Sequence, residues 1–468
     1  MIKTKVIVTN GPSLKFNSVL KNVIRYSDII RFNFSHAKEE EIINTISRIE
    51  KISEEIKKDV AILGDLSGPK IRIKRLSNNF NNVKKGDIVD ICFNKKEDNI
   101  KEDSEKTIYL DYNLFDNIKK NNIIFYGDGE LKFLVLDKYN GKVIIKALND
   151  HTVKIEKGIS VFGSEVNLEP PTKNDLKFLK FAVKNDFDFI AVSFVKSDKN
   201  IKQIKKITGD IEIISKIETK EAIDNIDGII RESDGIMVAR GDLGLHVGIA
   251  KLPITQQYLI KKCQEYQKPV IVATQLLSSM INSSFPTRAE ANDIANNIFD
   301  RVDCVMLSNE TAVGKYPVET LQTLNEIIEN TEKFIESEEN SNRINKINTK
   351  INKINQAISF AAVGLAHNFK TDCIFAPTQT GATAKILSSL KPYSNIIALT
   401  NSKKIRNKLA ILYGVRAFPI EKYNSINEMI NNVKKVAIQN KINKFIIVSG
   451  TPNKFGTTDT LKYIDLKS

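Results

Sequence analysis

Residues 211–244, IEIISKIETKEAIDNIDGIIRESDGIMVARGDLG, hold two short β-branched runs that each end in charge. The first closes on Lys216 and Glu218, the second on Arg240, Gly241 and Asp242. Side chains two apart on a strand share a face, so the ammonium and the carboxylate leave the first strand end together. Carboxylates beside a lysine make poor core, because a buried charge has to be paired or bound to a metal. Singly, such residues are as often plain strand-end ion pairs as ligands. Together, Glu218 and Asp242 read as hard oxygen donors to a divalent cation, with room left for water and a substrate phosphate. Between the two runs, 222–230 carries helical periodicity, so the stretch is strand, helix, strand.

The same alternation extends outward in both directions. Upstream come helix 174–183, strand 189–194 and helix 199–207; downstream come helix 256–267, strand 270–274, helix 288–299 and strand 304–307. At the N-terminus, strands 6–8, 28–34 and 60–66 alternate with helices 14–24 and 39–56. Repeated βα units predict a parallel sheet, and this number of them predicts a TIM barrel with its active site at the carboxyl ends of the strands. Polar residues stand at those ends: Thr9, then Arg31, Asn33 and Ser35, then Asp65, Ser193, Lys216 with Glu218, Asp242, Thr274 and Ser308. Arg31, Asn33 and Ser35 alternate with Phe32 and Phe34, which puts the polar set on one face of its strand.

The rhythm stops after the third strand. Between about 68 and 166, short alternating runs (88–93, 123–126, 131–136, 143–145) are punctuated by Lys85-Gly86-Asp87, Asp128-Gly129 and Asn140-Gly141, which predicts an inserted all-β domain. A long helix at 317–336 leads into 337–355, rich in Asn, Lys, Glu and Ser, where a domain boundary is expected. A last α/β unit follows, with strands 373–376, 396–399 and 445–448 and helices 358–366, 383–390 and 426–437. The expected limits are 1–69 with 167–337 for the barrel, 70–166 for the insertion and 338–468 for the C-terminal domain. In the last of these, Thr378, Gln379, Thr380, Gly381, Ala382 and Thr383 join a strand to a helix with small hydroxyl residues and free amides, a geometry that binds phosphate.

Composition narrows the function. A chain of 468 residues exceeds one ordinary core, so about three domains of roughly 100–200 residues are expected. Its net charge of +14 comes with no tryptophan and no compact basic cluster interleaved with aromatics, which argues against nucleic acid and for a basic surface that attracts anionic metabolites. Cys92, Cys263, Cys304 and Cys373 have no ligand spacing, so they read as reduced structural thiols. No apolar run approaches the ~18 residues of a membrane span, and a cytoplasmic location is expected.

From Lys3 onward the chain resembles the pyruvate kinase family. The resemblance rests on TKVIVTNGPS, RFNFSH, GDLSGPKIR, the DG of Asp128-Gly129, SFV, KIE, MVARGDLG, PVIVATQ, PTRAEANDIAN, MLSNETAVGKYPVE and GTTDTLK, in order over nearly the whole chain. It implies phosphoryl transfer from phosphoenolpyruvate to ADP, giving pyruvate and ATP. By position, Glu218 and Asp242 would hold Mg²⁺ or Mn²⁺, Lys216 and Arg31 would face the phosphoryl group in flight, and the amides of Gly241 and Asp242 with the Thr274 hydroxyl would receive the substrate carboxylate. Thr274, or water relayed through Ser308, would protonate the enolate. Pro12, Asn33, His36, Arg72, Asp128 and Lys157 would surround ADP, the last two carried by the insertion as a lid. A homotetramer and a sugar-phosphate or nucleotide effector at 378–383 are also implied.

Some residues depart from the family pattern. His246 stands where a glutamate is usual, and Lys157-Gly158-Ile159-Ser160-Val161-Phe162-Gly163 lacks the usual hinge proline; His151 and His367 read as structural. Asn33, Ser35, Asp65 and the Leu66 carbonyl match a monovalent-cation pocket. Lys70, however, takes the place of a glutamate common in potassium-dependent relatives, and its ammonium can do electrostatically what potassium does. Potassium independence is therefore expected. Two other readings are another phosphoenolpyruvate- or pyruvate-handling metal-dependent barrel, such as an aldolase, and a catalytically silent metabolite-binding relative.

Overall fold

The structure is a computed structural model that describes residues 2–35, 38–77, 80–93, 105–162, 168–338, 353–450 and 458–467. Strands β1 (Lys5–Thr9), β2 (Ile29–Asn33) and β3 (Ala61–Asp65) come first. The insertion carries β4 (Ile73–Leu76), β5 (Asn82–Val83), β6 (Ile88–Phe93), β7 (Thr107–Leu110), β8 (Ile123–Tyr126), β9 (Leu131–Tyr139), β10 (Lys142–Ala147), β11 (His151–Thr152) and β12 (Ile159–Val161). Then come β13 (Phe189–Val192), β14 (Glu212–Ile217), β15 (Gly235–Ala239), β16 (Val270–Ala273) and β17 (Cys304–Met306). These five close with β1, β2 and β3 into a parallel barrel in the order β1-β17-β16-β15-β14-β13-β3-β2.

Burial on both faces explains why the barrel strands read as unbroken apolar runs. Ile7, Ile29, Leu63, Phe189, Ile214 and Met237 fill the interior. Their neighbours Val8, Ile30, Ile62, Ile190, Ile213 and Val238 pack outward under the helices. The helix expected at 222–230 is two, Lys220–Asp224 and Ile226–Glu232, broken at Asn225, whose side chain donates to the Lys196 carbonyl at 3.0 Å.

The insertion forms a seven-stranded sheet, β12-β8-β9-β10-β6-β7-β4, and a two-stranded one, β11-β5, around Ile91, Ile108, Phe133 and Val143. The C-terminal unit adds β18 (Cys373–Pro377), β19 (Asn395–Leu399), β20 (Val415–Phe418), β21 (Lys444–Ser449) and β22 (Thr460–Asp465) in one sheet, order β20-β19-β18-β21-β22. The fold class is the one the sequence predicts, with β20 and β22 added at the sheet edges, where half-exposed side chains blur the apolar pattern. The 166–167 junction and most of the 337–355 stretch lie outside the described residues. Barrel and C-terminal unit lock together through Asp303, which takes the Lys391 ammonium at 2.5 Å and the Tyr413 amide at 3.3 Å. All four cysteines are buried thiols, none of them in a disulfide.

Candidate active site

One cleft at the carboxyl ends of the barrel strands gathers Arg31, Asn33, Ser35, Asp65, Leu66 and Lys70. Lys216, Glu218, Asp242, Thr274 and Ser308 line it as well, and Arg72, Asp128 and Lys157 reach it from the insertion. β2 and β3 are in register at Asn33 and Asp65, and Arg31, two residues back on β2, reaches across. The Arg31 Nε donates to Asp65 Oδ2 at 2.7 Å and its Nη1 to Thr9 Oγ1 at 2.9 Å. From β14, the Lys216 ammonium reaches Ser193 Oγ at 2.7 Å, Glu218 Oε1 at 3.0 Å and Asp65 Oδ1 at 3.3 Å.

These groups are buried, and their protonation follows from who faces whom. Burial alone would raise the Asp65 carboxyl, but the Lys216 and Arg31 charges outweigh it and hold its pKa below the ordinary value. Burial alone would lower Lys216, but Asp65 and Glu218 hold it well above, so it is a fixed cation. Burial raises Glu218, with the Asp242 charge adding to it and Lys216 opposing. Its Oε2 also accepts the Phe194 amide at 2.7 Å, which fixes the carboxylate's orientation. Among the described residues no three His, Cys, Asp or Glu side chains gather as a cage. Glu218 and Asp242 thus form a two-carboxylate site, a donor set that suits a hard divalent cation completing its shell with water and substrate.

Asp242 sits in helix Arg240–Val247 directly after β15. Its Oδ1 takes the Lys70 ammonium at 2.7 Å, and Lys70 holds Asp242 below the ordinary carboxylate pKa against the effect of burial. The structure therefore places the Lys70 cation on a metal-ligand candidate rather than on the monovalent-pocket oxygens. Those oxygens have partners of their own: Asn33 Oδ1 accepts the Ser35 amide at 3.1 Å, Ser35 donates to Ser67 Oγ at 3.0 Å, and the Leu66 carbonyl accepts Ser193 Oγ at 2.7 Å.

The Gly241 amide differs from the expectation that it is free. It donates to Thr274 Oγ1 at 2.9 Å, which leaves the Thr274 hydroxyl hydrogen to point elsewhere. Thr274 itself has φ +71°, a strained conformation for a β-branched residue. Arg240 holds it there, donating to the Thr274 carbonyl at 2.6 Å while clamped on Asp293 at 2.9 and 2.7 Å.

On the insertion side, Arg72 Nη1 donates to the Glu156 carbonyl at 2.7 Å and the Lys157 ammonium lies 3.5 Å from Glu130. Pro12 is exposed at the start of the short helix Pro12–Leu14, apart from the cleft lining, and His36 lies outside the described residues. The turn at 378–383 also departs from its reading, since its amides are not all free. Gly381 donates to Thr378 Oγ1 at 2.9 Å, Ala382 to Thr380 Oγ1 at 3.4 Å, and Thr383 shares a hydrogen bond with Thr458.

Sequence reasoning gave no role to Ser193, Phe194, Arg240 or Asp293. Ser193 and Arg240 stand at strand ends, which was a usable signal. Phe194, at φ +57°, and Asp293, on helix Arg288–Phe299, stand in the quoted SFV and PTRAEANDIAN motifs, but their contacts join neighbouring βα units and leave no local pattern.

Comparisons with known proteins agree with this arrangement. A family model described as pyruvate kinase, barrel domain, matches residues 1–321, and one described as pyruvate kinase, alpha/beta domain, matches residues 356–464. A pyruvate kinase of Clostridium perfringens is 37% identical over 99% of both chains. One of Methanocaldococcus jannaschii is 37% identical over 99% of this chain and 98% of its own. The crystal structure of a pyruvate kinase from Cryptosporidium parvum superposes with a TM-score of 0.89 at 30% identity, covering 99% of this chain and 96% of that one.

Proposed function

The chain belongs to the pyruvate kinase family of phosphotransferases, and we propose that the cleft residues divide the transfer from phosphoenolpyruvate to ADP among them as follows. Lys216 and Arg31 converge on Asp65 from two strands, and this pairing is the observation that carries the proposal. Phosphoryl transfer asks a protein for positioning and charge stabilisation more than for covalent chemistry. A lysine pinned by Ser193, Asp65 and Glu218 offers its charge without reorganising. Arg31, fixed through Nε and Nη1, offers the remaining guanidinium nitrogen.

Glu218 and Asp242 would hold the divalent cation, Mg²⁺ or Mn²⁺, which would supply positive charge to the anionic substrate. Thr274, accepting from Gly241, keeps its hydroxyl hydrogen for the substrate carboxylate or the enolate carbon, with water near Ser308 as the other proton source. Arg72, Asp128 and Lys157 meet the nucleotide with Asn33, His36 and Pro12, and closure of the insertion excludes water that would otherwise take the phosphoryl group. Lys70, although its ammonium lies on Asp242 and not on the monovalent-pocket oxygens, adds a fixed positive charge to the cleft, and this supports activity without potassium.

We place the domain limits at 1–69 with 167–337, 70–166 and 338–468, a division consistent with the separate family matches. A homotetramer is the assembly the family resemblance implies, and the exposed apolar side chains of Ile249 (77%), Ile254 (74%) and Phe285 (79%) are available for burial in it. A phosphorylated effector at 378–383 rests on the remaining exposed Gln379 and Thr380 at the start of helix Ala382–Ser389. Among the described residues no helix is long and apolar enough to cross a membrane, and we assign the enzyme to the cytoplasm.

A coupled assay for ADP-dependent pyruvate formation tests the reading. An aldolase-like barrel would show pyruvate chemistry without ADP, and a silent relative would show none. Neither accounts for a cleft that keeps Arg31, Lys216, Glu218, Asp242 and Thr274 together with the insertion's Asp128 and Lys157.

A further inference from the structure

A second cavity, of about 190 Å³, lies where the insertion joins the barrel. Both chain crossings build one wall, Ile71 on the way out and Ile159, Val161 and Leu168 on the way back. The barrel rim builds the other, with Phe194 and Lys196 after β13, Lys220 and Glu221 after β14, and His246 after β15. Lys70 and Phe194 line this cavity and the catalytic cleft alike, so they form the partition between the two. The Lys70 stem lies against Gly158, where any added Cβ would meet its Cε at 2.5 Å, so the partition is packed on the returning crossing.

The charges do not balance. Lys196 is paired with Glu221 at 3.1 Å and Lys70 with Asp242 at 2.7 Å. Lys220 is exposed and has no ion partner among the described residues, which leaves one positive charge at the rim, opposite the apolar side chains of Ile71, Leu114, Ile159, Val161 and Leu168. An apolar cavity of ~150 Å³ takes one benzene. This one has room for a single ring, or a branched chain of that size, with a short charged arm.

We propose that this cavity is a binding site, separate from the catalytic cleft, for a small amphipathic monoanion: an aromatic or branched-chain carboxylate whose body rests on Ile71, Ile159 and Leu168 and whose carboxylate meets Lys220. Its occupant touches both crossings of the insertion and both partition residues, so it sets the angle at which the lid stands over the cleft.

Phenylacetate and its neutral analogue phenylacetamide test this by calorimetric titration of the full chain, with no activity involved. The expected result is saturable one-site binding of phenylacetate, at least about tenfold weaker for phenylacetamide and for Lys220→Glu. Leu168→Trp, which fills the space, is expected to abolish it. Lys220 is exposed, so its variant folds even if Leu168→Trp does not. Equal binding of the two compounds, no saturable binding, or phenylacetate binding that phosphoenolpyruvate displaces while Lys220→Glu leaves it unmoved would each overturn the proposal.

Discussion

Asp188 precedes β13 at the foot of the barrel, where helix Lys403–Lys408 of the C-terminal unit packs against it. Its Oδ2 accepts the Ile62 amide at 2.8 Å and the Asn407 side-chain amide at 3.2 Å. Burial pushes its carboxyl from 3.8 up to about 6, against the pull of those bonds and of Lys403 and Lys408. The native state therefore holds the proton more tightly than the unfolded chain. Stability is complete below the unfolded pKa and is lost as pH rises through about 6. At ~1.4 kcal/mol per pKa unit, the deficit above that pH is about 3 kcal/mol. Asp188→Asn removes the ionisation and keeps an Oδ1 that can accept both donors. Parallel thermal melts from pH 4 to 8 should show the variant gaining on the wild type as pH rises, by roughly 2–4 °C per kcal/mol above pH 6, and matching it near pH 4. A gap that does not change with pH, or a variant less stable at pH 8, would refute the reasoning.

Three further outcomes are expected. Lys216→Met should lose ~10²–10³-fold in kcat while phosphoenolpyruvate and Mg²⁺ affinity hold, because the ammonium acts on charge that develops in transfer. A parallel loss of substrate affinity in equilibrium titration would sink that role. In tetramethylammonium buffer the wild type should be active without potassium, and Lys70→Glu should acquire potassium dependence, since it returns a negative charge beside Asp242. A wild type that stays inactive until potassium is added counts against it. Thr383→Glu, which puts a carboxylate in a buried position hydrogen-bonded to Thr458, should abolish any response of the rate curve to sugar phosphates or nucleotides. If the wild type responds to none of them, the turn is only a helix cap.

What the sequence made legible is what burial imprints locally. Eight apolar runs alternating with segments of helical period pointed to the barrel, and polar residues at the carboxyl ends of those runs pointed to the cleft. Pairing across the barrel left no such imprint. Asp65 reads as one more strand-end acid, yet it bridges Arg31 and Lys216 from two other strands. Lys70 and Asp242 are 172 residues apart, and closure of the barrel sets the segments that follow β3 and β15 on one rim. The left-handed backbone of Thr274 and Phe194 was invisible for a related reason. No residue preference announces it, and the hydrogen bonds that hold it, from Arg240 to the Thr274 carbonyl and from the Phe194 amide to Glu218, join residues far apart in sequence.

The cleft's charges also show why this cluster is tolerable in a fold and useful in a reaction. Arg31, Lys216 and Lys70 face Asp65, Glu218 and Asp242, so the burial costs of these six groups are met by pairing. The pairs are not equivalent. Asp65 sits between two cations, Arg31 and Lys216, whereas among the described residues Glu218 pairs with Lys216 alone and Asp242 with Lys70 alone. Glu218 and Asp242 would hold the divalent cation, which would supply positive charge to the substrate's anionic groups. Asp65 stays as the fixed counter-ion that keeps Arg31 and Lys216 aimed. Its role is therefore positional, and the prediction is sharp: Asp65→Asn should lower kcat by releasing both cations while leaving divalent-cation affinity, measured by titration, close to that of the wild type. A matching loss of that affinity would place Asp65 among the metal ligands instead.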